Sequence, residues 1–133
     1  MKQRRPATCS SFSRVVWLSA FLVMALPVAR AHHSGAAFDP AAQVELHGVV
    51  KQFQWTNPHC YIQLLVRDEQ GSDVEWSVEM AAPIYLYNLG WRPSTLKPGD
   101  GIKVTLAPLR NGDKGGLAIE LFDAAGNRIG AKP

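Results

Sequence analysis

The chain has 133 residues, 47% of them hydrophobic and 19% charged, with a formal net charge of +3. That length suits one compact domain, and the composition excludes a disordered chain and, with only two cysteines, a disulfide scaffold. Five of the fourteen basic residues (Lys2, Arg4, Arg5, Arg14 and Arg30) fall in the first 31 positions, where there is no Asp or Glu, so the remainder carries nine basic against eleven acidic side chains; that balance of −2 argues against the cationic surface a nucleic-acid binder needs.

Residues 1–31 read as a secretory signal: a basic start, an apolar run from Val15 to Pro27 and a small-x-small end at Ala29-Arg30-Ala31. The run is 13 residues long, whereas a bilayer span needs about 20. A leader cleaved after Ala31 is therefore expected, with no permanent membrane span and a periplasmic mature chain. Arg4-Arg5 is followed by Pro6 and lacks the hydrophobic pair of a twin-arginine signal. Cleavage removes Cys9 and leaves Cys60 alone, which excludes an intramolecular disulfide. Residues 32–42 are expected to form an N-terminal arm and residues 43–130 the folded domain.

From Gln43 to Trp55 the apolar residues fall at Val44, Leu46 and Val50 and then change parity to Phe53 and Trp55. This predicts a first strand with a bend or bulge near Gly48. Cys60, Ile62, Leu64 and Val66 alternate with polar neighbours as a second strand, Asp68 to Ser72 turns, and Val74, Trp76, Val78 and Met80 alternate as a third. Mirroring the two strands about residue 70 pairs Val66 with Val74, Leu64 with Trp76 and Ile62 with Val78 inside. On the outside it pairs Arg67 with Asp73 and Tyr61 with Glu79. Pro83 and Gly90 bracket a short helix over Ile84 to Leu89. A turn at Lys97-Pro98-Gly99-Asp100 precedes a fourth strand through Ile102, Val104 and Leu106. A glycine-rich loop from Asn111 to Gly116 precedes a fifth through Leu117, Ile119 and Leu121. Three strands, one short helix and two strands, with a bent first strand, predict an all-β fold: a small five-stranded OB-like barrel, a five-stranded sandwich being the alternative.

Cleavage after Ala31 would begin the mature chain His32-His33-Ser34. A terminal histidine offers an amine and an imidazole from one residue, and a second imidazole from the fold would complete a three-nitrogen site of the kind that favours Cu(II). His59, in Trp55-Thr56-Asn57-Pro58-His59, is the fold-held candidate; His33 is a further ligand or a packing residue. The bland alternative is a frayed terminus and a hydrogen-bonding His59. His47 shares the parity of Glu45 and is expected to point outward, solvated. Cys60 is expected to be a small buried hydrophobe, facing away from His59. Trp55, Tyr61, Tyr85, Tyr87 and Trp91 lack the basic neighbours of a nucleic-acid platform and are expected to pack in the core or at the rim. Glu75 and Glu79 are read as a solvated outer-face pair. No acid, base and nucleophile set appears, so the chain is not expected to be an enzyme.

His32-His33-Ser, Phe38-Asp39, Gly48 to Val50, Gln54-Trp55-Thr56-Asn57-Pro58-His59, Val74-Glu75-Trp76, Gly90-Trp91 and Leu96-Lys97-Pro98-Gly99-Asp100 together resemble a family of short exported bacterial proteins. That family is catalogued as domain of unknown function 6152. The resemblance spans the mature chain and implies a periplasmic OB-like domain with no assigned enzyme activity. His32, His33 and His59 fall on its motif. Gly35 departs from it, standing where an aromatic usually follows His-His-Ser. The functional expectation is a periplasmic binding module that takes copper at His32 and His59, or else a metal-free envelope interaction domain that recognises a protein through its aromatic rim.

Overall fold

The computed structural model describes residues 35–130. The expected leader, its cleavage position, His32 and His33 lie outside these residues. A 3-10 turn at Gly35–Ala37 is followed by β1 (Val44–Gln54), β2 (Tyr61–Arg67), β3 (Asp73–Glu79), the helix α1 (Pro83–Asn88), β4 (Gly101–Pro108) and β5 (Gly115–Asp123). The strands close into a barrel in the order β1-β2-β3-β5-β4, with β4 returning to β1. Closure settles the choice between barrel and sandwich in favour of the barrel.

The β2–β3 hairpin adopts the mirrored register: Ile62 faces Val78, Leu64 faces Trp76, Arg67 faces Asp73 and Tyr61 faces Glu79. A turn with Gly71 at φ +81° joins the two strands, a conformation that glycine adopts without steric cost. Alternation puts Cys60, Ile62, Leu64 and Val78 fully inside. Trp76 departs from expectation, being only partly buried where it packs against the core. Its ring carries the Lys114 ammonium 5.3 Å from the centroid on its open side.

The parity change in β1 is real, but its bulge lies between Val50 and Gln52 rather than near Gly48. Lys51 and Gln52 are both exposed there, and Phe53 then turns back to the core. Gly48 serves a different purpose. A Cβ at that position would lie 2.5 Å from the Leu65 carbonyl oxygen and 2.7 Å from Leu64 Cγ, so the absent side chain lets β1 and β2 approach. A second bulge, at Ile119 of β5 opposite Thr105 and Leu106 of β4, corrects the reading of the fifth strand. Leu106 pairs with Ala118 and Val104 with Leu121, so Ala118 and Leu121 are buried while Leu117 and Ile119 are only partly so.

The end of the expected Asn111 to Gly116 loop is also strand. Gly115 and Gly116 begin β5 and pair in parallel with Ser77 and Val78 of β3, forming the seam that closes the barrel. A Cβ on Gly116 would lie 2.5 Å from the Ala107 carbonyl oxygen, and one on Gly115 would lie 2.9 Å from that of Ser77. Helix α1 starts with Pro83 at its first turn and ends before Gly90 at φ +88°. It contributes Leu86 and, just beyond its end, Trp91 to the core, both fully buried.

Candidate functional site

The Trp55-Thr56-Asn57-Pro58-His59 segment leads into several polar groups on the outer face of β2 and β3. Asn57–Pro58 is a cis peptide, and the Thr56 hydroxyl donates to the His59 carbonyl oxygen at 3.0 Å. Cys60 follows His59, and its backbone exchanges hydrogen bonds with Met80 and Ala81 beyond β3. The His59 ring is therefore set beside β3, where its Nδ1 meets the Glu79 carboxylate. Both side chains are partly sheltered, 35% exposed for His59 and 21% for Glu79.

Tyr61 stands opposite Glu79 in the register and hydrogen-bonds to the same carboxylate. Burial, followed by the neighbouring negative charge of Glu79 and this hydrogen bond, pushes the Tyr61 phenol up from its ordinary pKa. One register step along, Gln63 Nε2 donates to Gln54 Oε1 at 3.0 Å and to Ser77 Oγ at 3.3 Å, which ties β1, β2 and β3 together on the outside. Glu79 is thus not the solvated surface carboxylate expected from its position. The clue was already in the hairpin register, which sets Glu79 against Tyr61, two residues from His59.

The chemistry of the pair is specific. In a neutral imidazole one nitrogen is a donor and the other carries the lone pair. A carboxylate accepting from Nδ1–H favours the neutral tautomer that carries its lone pair on Nε2, as carboxylates do for histidines that hold metals. Among the described residues no cluster of three or more His, Cys, Asp and Glu side chains is arranged to hold a metal ion.

The other candidates separate cleanly. His47 is outward and exposed, its Nε2 3.1 Å from Glu45 Oε1. Cys60 is fully buried, and that burial pushes its thiol pKa up, the reverse of what a nucleophile requires. Glu75 pairs with Lys51 at 2.6 Å on the outer surface. Trp91 is core, and Trp55 is partly buried with its ring edge-on to Phe53, 5.7 Å between centroids. Tyr85 and Tyr87 are exposed, contrary to the expectation that they would pack.

An open groove of about 630 Å³ between the start of β4 and the turn after β5 includes Asp100, Asp123 and Arg128 in its lining. The carboxylates already have structural tasks there. Asp100 accepts the Lys97 backbone N–H at 2.8 Å, Asp123 accepts from the Ala125 and Asn127 backbones, and Arg128 pairs with Glu120.

Among the described residues no helix is long and apolar enough to cross a membrane. The model of a family of unknown function, DUF6152, matches residues 20–119. No curated protein and no solved structure matches the chain. The chain belongs to the DUF6152 family, in agreement with the motif resemblance.

Proposed function

We propose that this DUF6152 member is exported, is cleaved after Ala31 and works as a periplasmic binding module that takes Cu(II) between the new His32 terminus and His59. The observation that carries this reading is the Glu79 carboxylate on His59 Nδ1, which directs Nε2 toward a ligating role. His32 would contribute its terminal amine and its imidazole, and His33, next in the sequence, would be a further donor. Three nitrogens of this kind suit Cu(II) above the other divalent first-row metals.

The test begins with the terminus. Mass spectrometry of the exported protein should give a chain starting at His32. Calorimetry with Cu(II) should then give an affinity that falls about tenfold or more in His59→Ala. The same loss is expected when one residue is added ahead of His32, because the amine is moved away from its imidazole. Binding should also weaken on acidification, since protons compete for the terminal amine of a processed His32, of reference pKa about 8, and for its imidazole, of reference pKa about 6.5. Affinity unchanged by both alterations would remove the proposed site.

A further inference from the structure

Four large hydrophobic side chains are markedly exposed among the described residues, and three of them sit on the six-residue helix α1: Ile84 at 64%, Tyr85 at 65% and Tyr87 at 54%. At about 100° per residue, Ile84 forms the crest of the helix, with Tyr85 about 100° to one side and Tyr87 about 60° to the other. Leu86 points the opposite way, into the core. Three apolar side chains thus radiate from a ridge that the barrel holds rigidly from beneath.

The charge around this ridge is equally uneven. From Ala81 to Gly99 there is no Asp or Glu, although residues 32–133 hold eleven acidic against nine basic side chains; the next carboxylate, Asp100, accepts the Lys97 backbone N–H at 2.8 Å. The cations in that stretch are Arg92 and Lys97, both exposed. Five of the eight described cations (Lys51, Arg67, Lys103, Arg110 and Arg128) are ion-paired with carboxylates, and neither Arg92 nor Lys97 is among them. The Arg92 guanidinium lies 3.8 Å from the centroid of the Tyr87 ring and donates to the Tyr87 and Trp91 carbonyls, which fixes a positive charge on the flank of the ridge.

We propose that α1 and the loop after it form a membrane-interface wedge, with Ile84, Tyr85 and Tyr87 entering the headgroup region of an anionic bilayer while Arg92, held against Tyr87, meets its phosphates and Lys97, further along the same loop, adds to the attraction. Tyrosine is an interfacial side chain, and long cationic side chains keep their stems against apolar surface while the charge stays at the phosphate level. Basic residues near the surface add an attraction to anionic lipid that scales with their number. A ridge with divergent side chains fits a surface that deforms around it, whereas a protein partner would have to bring a matching groove. The proposal is independent of the copper site and survives its failure.

A label at the crest reads insertion directly. In a Cys9→Ser background, Ile84→Cys is labelled with an environment-sensitive fluorophore; Cys60 is fully buried and stays unlabelled in the folded protein. A second protein carries the label at Glu69→Cys, on the exposed β2–β3 turn. A retained leader would tether both proteins equally. With vesicles containing phosphatidylglycerol, the label at position 84 should brighten and shift to the blue while that at 69 stays as in water. Pure phosphatidylcholine vesicles should give a much weaker response. Arg92→Glu with Lys97→Glu should weaken the response on anionic vesicles by about tenfold or more. A label at 84 that stays as water-exposed as that at 69 on every vesicle overturns the proposal. Shielding at 84 that rises with protein concentration in the absence of lipid also overturns it, and would assign the ridge to a contact between copies of the chain.

Discussion

The two faces of the β2–β3 hairpin share one backbone and have opposite chemistry. Inside, Ile62, Leu64 and Val78 are fully buried and pair across the strands, so the requirement on them is volume and apolarity. Outside, Tyr61, Gln63, Ser77 and Glu79 occupy the intervening positions and form two hydrogen-bonded groups, Gln63 with Ser77 and Gln54, and Glu79 with Tyr61 and His59. The inner face makes the barrel; the outer face is free to carry a site, because its residues answer to each other's hydrogen-bonding groups and not to packing density. A strand can therefore change its binding chemistry at every second residue without repacking its core.

Truncations at neighbouring positions on the two faces should have very different effects. Leu64→Ala opens a cavity in the closed interior and should cost about 2–5 kcal/mol, a large share of what a domain of this size has to lose. Gln63→Ala removes hydrogen bonds to Gln54 and Ser77 that are only partly buried, and should cost about 0.5–1.5 kcal/mol. Urea unfolding of both variants is the measurement. Equal losses would mean that the outer row is as structural as the core and would remove its freedom to serve as a site.

A smaller contrast sits one step along β3. Trp76 is only partly buried, with Lys114 above its ring, so Trp76→Ala should cost about 1–3 kcal/mol, less than a sealed tryptophan would. Glu75→Ala removes an ion pair with Lys51 in which both side chains are roughly half exposed, and the loss should stay below about 1 kcal/mol. The two urea midpoints should keep this order. A Glu75 variant as damaged as the Trp76 variant would contradict the alternation of β3.

Much of the barrel is legible in the sequence because alternation has only one other phase. Once Asp68 to Ser72 is read as a turn, every cross-strand pair from Tyr61 to Glu79 follows, and the structure has all of them. The bulges escape this logic. One extra residue between Val50 and Gln52 resets the phase of β1 without any residue type that marks it, and Gly48, which suggests a bulge, is instead small because Leu64 and Leu65 press on it. The strand role of Gly115 and Gly116 is hidden for a similar reason: side-chain pattern says nothing about residues chosen for having no side chain. At the candidate site, His59 is visible through its motif, whereas Glu79 becomes visible only when the register is applied to the outer face as strictly as to the core. The exposure of Tyr85 and Tyr87 depends on which side of a six-residue helix the barrel covers, and so short a helix has too few apolar positions to declare it.

The smallest effect expected separates charge from geometry at the turn after β5. Asp123 accepts the backbone N–H groups of Ala125 and Asn127 at 2.9 and 2.8 Å and the Asn127 side-chain amide at 3.1 Å. The Asn127 side chain first, and then its backbone N–H, hold the Asp123 carboxyl below the ordinary carboxylate range. Because the folded pKa lies below the unfolded value of about 4, the charged form is the one that folding favours. The stabilisation is therefore complete above about pH 4 and is lost as the pH falls through the lower folded value. Asp123→Asn keeps an oxygen acceptor for the backbone donors but never carries the charge. The variant should melt at a lower temperature than the parent at pH 7, and the difference should shrink as the pH is taken below about 4, because the parent then loses its charge as well. Melting curves of the two proteins across that range decide the matter: a gap that stays constant into acid would assign the turn's stability to the shape of the hydrogen bonds and not to the carboxylate charge.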